Sequence, residues 1–170
     1  MLVEPAVVRD AREGDAEGIA RVHVHSWRET YTGVLPDRFL GQAALEQRRE
    51  MWTRYLTMDP SPGPLAVATI GDEIVGFANA GPARGPDAEK GHPPARDLHL
   101  FAIYLLADAH GAGVGRELLT AVLDDHPAQL WVLAGNERAI AFYRRHGFEA
   151  DGLEFVDPDL EHVVELRMVR

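Results

Sequence analysis

The chain has 170 residues, close to the common size of one domain and long enough to bury a real core. With 46% hydrophobic and 26% charged residues it holds no apolar run near the ~18 residues of a membrane span, and its formal net charge of -10 argues against a general nucleic-acid binder, which needs a basic surface. The absence of cysteine excludes disulfides, thiolate metal sites and a cysteine nucleophile, and fits a reducing compartment.

The opening residues, MLVEPAVVRDAREGD, lack a basic segment followed by an apolar stretch and a small-residue cleavage site, so a cytoplasmic location is expected. PAVVR (5–9) reads as a short strand. Asp15 reads as the N-cap of a first helix, in which Ile19, Val22 and Ser26 share a face and which ends near Trp27. A second helix is expected over 37–56, where Phe39, Leu40, Leu45, Met51, Trp52 and Tyr55 recur at helical spacing. LAVATI (65–70), the turn GDE and IVGFANAG (74–81) make an antiparallel hairpin.

The segment 82–97 carries four prolines and two glycines and is read as neither helix nor central strand; a loop of that length is functional or mobile. LHLFAIYLL (98–106) is a continuous apolar run, as in a strand buried on both faces. A helix over 115–125, a buried strand over 128–135 and a helix capped by Asn136 and stopped at Gly147 follow. FEADG, LEFV and EHVVELRMV read as three closing strands, and nothing in the composition divides the chain, so one domain spanning 1–170 is expected.

HGAGVG (110–115) puts three glycines between a strand and a helix. A Walker loop needs Lys and Ser or Thr after its last glycine, but Arg116 and Glu117 follow Gly115. A dinucleotide fingerprint begun at Gly113 needs glycine at 118, which is Leu118, and no acidic ribose partner ends the next strand. Two readings stay open on the loop alone: a tight turn, or a cradle of amides for a pyrophosphate at a helix N-terminus. His23 and His25 lie two apart on a helix and face apart, so no metal site is expected from them.

The flanks add a resemblance. YLLADAHGAGVGRELL is similar to the acyl-CoA-binding motif of the GNAT superfamily of N-acetyltransferases, with His110, Gly113 and Gly115 in the three defining places of [RQ]-x-x-G-x-[GA]. LWVLAGNERAIAFYRRHGF resembles the second motif of that superfamily, through Asn136, Ala139, Phe142, Tyr143, Gly147 and Phe148, and HVHSWRETYTGVLPDRFL resembles the opening of many bacterial members. Position 110 departs from the pattern, since His110 stands where Arg or Gln is usual.

The resemblance implies an α/β fold of about seven strands in a mostly antiparallel mixed sheet, with a V-shaped splay between central strands and about four helices. It implies acetyl-CoA as cosubstrate, its pantetheine pairing with Ile103, Tyr104 and Leu105 and its pyrophosphate lying on the amides of Gly111, Ala112, Gly113, Val114, Gly115 and Arg116, with His110 and Asn136 also at the cofactor. The amide of Leu105 is the expected oxyanion donor, Tyr143 the expected acid at the departing thiolate, and His99 the expected base on the acceptor amine. Trp27, Glu29 and Tyr31, with Glu73 or His99, are expected to receive a cationic acceptor. The function implied is direct transfer of an acetyl group to a primary amine of a small molecule or peptide N-terminus, with no membrane, nucleic-acid or metal partner. A homodimer is allowed for. The alternatives are a non-catalytic CoA-binding or regulatory module on the same fold, and a nucleotide-binding protein that uses the loop for ATP or NAD.

Overall fold

The computed structural model describes residues 4–160 and 162–170; residues 1–3 at the head of the opening stretch, and Glu161 at the head of the expected last strand, lie outside the described residues. Seven strands, β1 (Val7–Asp10), β2 (Leu65–Ile70), β3 (Glu73–Pro82), β4 (Leu98–Leu105), β5 (Gln129–Leu133), β6 (Glu149–Val156) and β7 (Val164–Val169), follow the order β1-β2-β3-β4-β5-β7-β6. β1 with β2, β2 with β3, β5 with β7 and β6 with β7 pair antiparallel, while β4 and β5 run parallel and pair at His99 with Gln129. The helices are α1 (Ala16–Tyr31), α2 (Gln42–Thr57), α3 (Pro86–Glu89), α4 (Val114–Leu123) and α5 (Glu137–Arg145). Among the described residues no helix is long and apolar enough to cross a membrane.

The chain forms two compact units, one of residues up to Asn79 with Ala102–Asp124, the other of Ala80–Phe101 with Asp125–Arg170. It passes from one to the other inside β3 and again inside β4, so neither unit is a continuous stretch of sequence.

In the first unit, Ile19, Val22 and Ser26 recur at helical spacing and are buried, and they set α1 against α2, whose own buried face carries Ala44 and Trp52. β2 is buried along nearly its whole length because it is covered from more than one side: Leu65 and Val67 lie in one core cluster with Ile19 and Val22 of α1 and Trp52 of α2, and α4 packs on the strand as well, which is why LAVATI carries no polar alternation. Asp15 precedes α1 as expected, but its carboxylate does not cap the helix. It accepts from the Arg9 guanidinium at 2.7 and 3.0 Å and from the Arg12 amide at 2.7 Å, and the Arg9 contact holds its pKa below the usual carboxylate value. α1 continues past Trp27 to Tyr31, where Val34 and Leu35 donate to the Tyr31 carbonyl as the chain turns away. The second helix starts later than its periodicity suggests: a 3-10 turn takes Asp37–Phe39, and α2 begins only after Gly41.

In the second unit, the segment 82–97 departs from its expected character, because Pro86 opens the single-turn helix α3. Proline suits that first position, where its missing N–H has no helical partner to lose. FEADG and LEFV, read as two strands, are one, β6, with a register shift between Ala150 and Glu154 around Gly152.

Candidate active site

β4 ends at Leu105, a 3-10 turn takes Ala107–Ala109, and residues 110–113 lead into α4. Gly111 and Gly113 have φ of +87° and +82°, and a Cβ on either would meet nothing within 4 Å. Glycine is needed there for the left-handed backbone, and the space a side chain would have taken is open. The first helical bond of α4 runs from the Glu117 amide to the Gly113 carbonyl at 3.2 Å, so the amides of Val114, Gly115 and Arg116 have no partner within the helix. Three adjacent donors at the positive end of a helix dipole, beside bare backbone, suit a phosphate group.

His110 does not hang over this opening unattached. Its Nε2 lies 2.7 Å from the Leu105 carbonyl, and since a carbonyl only accepts, Nε2 carries the proton and donates. The first residue of the loop is thereby tied to the last residue of β4, and the Leu106 amide donates to the Val75 carbonyl at 2.9 Å to hold that strand end on β3. β3 meets this place with Gly76, where a Cβ would come within 2.6 Å of Leu105 Cδ1 and 3.0 Å of the Tyr104 carbonyl.

On the other side of β4, Tyr104 stacks on His23 with ring centroids 5.1 Å apart, and Trp27, Trp52 and Phe77 complete a nest around that imidazole at 5.4, 6.0 and 5.6 Å. Burial, with the nearby Arg48 charge adding to it, pushes the His23 pKa down to about 3, so His23 is a neutral core residue. The expected acceptor residues are only partly brought together. Trp27 meets Tyr31 edge-on at 5.6 Å, and the Arg48 guanidinium lies over the Trp27 ring, 5.0 Å from its centroid. Glu29 accepts from the Ala107 amide at 3.3 Å and faces His25 at 3.3 Å, which makes it a clamp on the turn after β4. Glu73 lies 3.5 Å from Arg21 and is exposed.

In the second unit Asn136 caps α5, its Oδ1 accepting from the Ala139 amide at 3.2 Å. Six residues of helix then set Tyr143 on the buried face, with its ring edge-on to Phe142 at 5.6 Å and to Phe148 at 6.0 Å.

His99, the expected base, is buried at 3% exposure. Burial, and then the Lys90 charge, lowers its pKa to about 4, so it is uncharged at neutral pH and a weak acceptor for an ammonium proton. Its Nδ1 lies 3.1 Å from Gln129 Nε2, and Gln129 also bonds the Ala88 carbonyl and the Ala95 amide. Gln129 had no place among the sequence candidates; the one signal was a fully polar side chain heading the apolar run QLWVL. The segment 82–97 lies on this unit as a strap. Trp131 Nε1 donates to the Ala88 carbonyl at 2.8 Å, Lys90 pairs with Glu165 at 2.9 Å, and Arg167 reaches the Pro93 carbonyl at 2.8 Å.

The model of the Acetyltransferase (GNAT) family matches residues 21–148, a span that contains the glycine loop and the α5 motif. The chain belongs to the GNAT family of acetyltransferases. The uncharacterised N-acetyltransferase YuaI of Bacillus subtilis (strain 168) is 32% identical over 149 residues, which cover 84% of this chain and 79% of YuaI. Among solved structures, the PaiA N-acetyltransferase of Thermoplasma acidophilum in complex with coenzyme A superposes with a TM-score of 0.68 over 96% of this chain and 98% of that one, at 16% identity. The N-acetyltransferase of Staphylococcus aureus Mu50 gives a TM-score of 0.68 over 96% and 100%, at 19% identity. These two likenesses establish the GNAT fold, a mixed sheet of mostly antiparallel strands. Membership in the family makes the chain an acyltransferase.

Proposed function

We propose that this GNAT enzyme transfers the acetyl group of acetyl-CoA directly to a primary amine, borne by a small molecule or by a peptide N-terminus. The observation that carries the reading is the glycine loop: Gly111 and Gly113 leave open space beside the N-terminus of α4, where the amides of Val114, Gly115 and Arg116 offer donors to the CoA pyrophosphate. The coenzyme A bound to the PaiA relative supports the same cosubstrate here.

The pantetheine, an amide chain, pairs with the backbone of Ile103, Tyr104 and Leu105 as an added strand, and the Leu105 amide polarises the thioester carbonyl. The amine attacks that carbonyl as its neutral form, a C–N bond forms, the C–S bond breaks, and Tyr143 gives its phenolic proton to the departing thiolate. His110 serves the loop by fixing it to β4, in place of the polar contact that Arg or Gln makes at this motif position. Asn136 serves by capping the helix that carries Tyr143. Trp27 and Tyr31 form the aromatic wall on the acceptor side, and Glu29, besides its contact with the Ala107 amide on the turn after β4, is the acidic group beside them. The site is assigned no metal.

A thiol-release screen of acetyl-CoA against a broad panel of primary amines tests the reading, with equilibrium binding of acetyl-CoA, ATP and NAD beside it. Tight acetyl-CoA binding and thiol release with at least one amine are expected. Failure of acetyl-CoA to bind, or a clear preference for ATP or NAD, would overturn it.

A further inference from the structure

We propose that Gln129 is a positioning residue of this enzyme: its side-chain amide holds His99 as the Nε2–H tautomer, so that His99 has no free lone pair with which to act as the base. The second half of that statement rests on the acetyltransferase reading; the first half stands on geometry alone.

The orientation of the Gln129 amide is forced from two sides. Its Oε1 lies 2.6 Å from the Ala95 backbone nitrogen, which donates. Its Nε2 lies 3.1 Å from the Ala88 carbonyl, which accepts. Turning the amide over would set two donors against each other at the first contact and two acceptors at the second. Gln129 is 0% exposed, so water cannot relieve either conflict. The atom facing His99 Nδ1 at 3.1 Å is therefore the NH2 group, a donor, and Nδ1 must offer its lone pair. The proton of the neutral ring sits on Nε2, and neither nitrogen has a free lone pair with which to take a proton from an ammonium.

The same two residues are also backbone partners where β4 meets β5, so strand register and side chains fix each other. The other groups around the ring are Phe101 on β4, with centroids 4.6 Å apart, and Lys90 on the strap, whose charge acts on His99. Lys90 is itself held by Glu165 of β7 at 2.9 Å and lies 4.6 Å from the Phe155 ring centroid on β6. Gln129 brings no negative charge, and Lys90 brings a positive one, so nothing in this set favours an imidazolium.

Gln129→Glu is the informative substitution. A carboxylate at 129 can still accept from the Ala95 amide; the Ala88 carbonyl keeps the Trp131 indole as donor but now faces an acceptor where Gln129 had set its NH2 group, so the new carboxyl must stay ionised for the test to read. Its second oxygen, however, calls for a proton on Nδ1, which would move the His99 lone pair to Nε2 and raise its proton affinity by about one pH unit or more. Long-range nitrogen–proton NMR spectra of the full-length protein without cosubstrate read this directly, with His99→Asn identifying the signal. In the unmodified chain His99 is expected to show a bare Nδ1 and a protonated Nε2, unchanged from pH 8 down to pH 5. In Gln129→Glu the two should exchange character and the titration should move toward neutrality. A wild-type Nδ1–H tautomer, or a wild-type His99 that titrates near pH 6.5, overturns the proposal whether or not the variant folds; so does a folded variant that keeps the wild-type pattern while the introduced carboxyl is ionised. Because these spectra need no turnover, a failed amine screen would remove the proposed function and leave the tautomer standing. On an identified amine, His99→Asn should leave the rising limb of the kcat/KM pH profile in place, and loss of that limb would restore His99 as a base.

Discussion

Trp52 Nε1 donates to His23 Nδ1 at 3.2 Å, joining α2 to α1 through an imidazole that stays uncharged inside the first unit. The indole N–H can only donate, so His23, like His99, keeps its proton on Nε2.

Two buried neutral histidines give the protein a dependence of stability on pH. Both folded pKa values, about 3 for His23 and about 4 for His99, lie below the unfolded value of ~6.5, so on acidification the unfolded chain takes up protons first. The stability present above pH ~6.5 is then lost as pH falls toward those folded values, at about 2 kcal/mol for each histidine between pH 7 and pH 5. Urea unfolding at the two pH values should show this loss. His23→Leu should roughly halve the pH slope whatever it does to absolute stability; an unchanged slope would show that His23 is not the group responsible.

His110→Ala removes the donor to the Leu105 carbonyl and unties the glycine loop from β4. The expected cost is about 1 kcal/mol of stability, together with weaker acetyl-CoA binding as the loop must order on contact. Calorimetric titration with acetyl-CoA checks it, and affinity within twofold of the parent would mean the tie does not preorganise the loop.

Gly76→Ala drives a Cβ to 2.6 Å from Leu105 Cδ1 and to 3.0 Å from the Tyr104 carbonyl. The leucine side chain can shift but the carbonyl belongs to a strand, so a loss of about 1–3 kcal/mol is expected. Gly113→Ala meets no atom and is strained only through its φ of +82°, at about 1–2 kcal/mol. The informative contrast lies in ligand binding at equal foldedness: Gly113→Val should impair CoA binding beyond its effect on stability, because its side chain fills the open space over the α4 amides.

Tyr143→Phe keeps the ring in its place between Phe142 and Phe148 and removes only the hydroxyl. Turnover on an identified amine should fall about 10²-fold or more with acetyl-CoA affinity nearly unchanged. Full activity in this variant would take Tyr143 out of the mechanism.

Much of the architecture could be read from local pattern, because each local cue had one physical cause. LAVATI and IVGFANAG form their hairpin, Asn136 caps its helix, and the glycine loop joins β4 to α4 as its spacing required. What escaped depended on partners far away in sequence. Glu29 and Trp27 looked like free acidic and aromatic groups until Ala107 and Arg48 were found on them. His99 looks like a base because an isolated imidazole titrates near neutrality; its pKa is lowered first by burial and then by Lys90, which arrives from a segment whose prolines suggest only a loop, and its Nδ1 faces Gln129, 30 residues on. A short helix such as α3 leaves no periodic signal, and its position is fixed by Gln129 and Trp131 converging on the Ala88 carbonyl.

The passage of the chain between units inside β3 and β4 has a consequence for biosynthesis. The first unit needs Ala102–Asp124 to finish its own sheet and to lay α4 on β1 and β2, so a nascent chain ending near Asn79 leaves the apolar face of β2 uncovered. The second unit waits longer still, since Ala128 exchanges both backbone hydrogen bonds with Arg170, at 2.9 and 3.1 Å, and the Arg170 guanidinium holds the carbonyls of His126 and His146. A ribosome therefore delivers the chain as far as Asp124 before the first half can close and as far as Arg170 before the second can, and neither half can be obtained by cutting the gene at a single point.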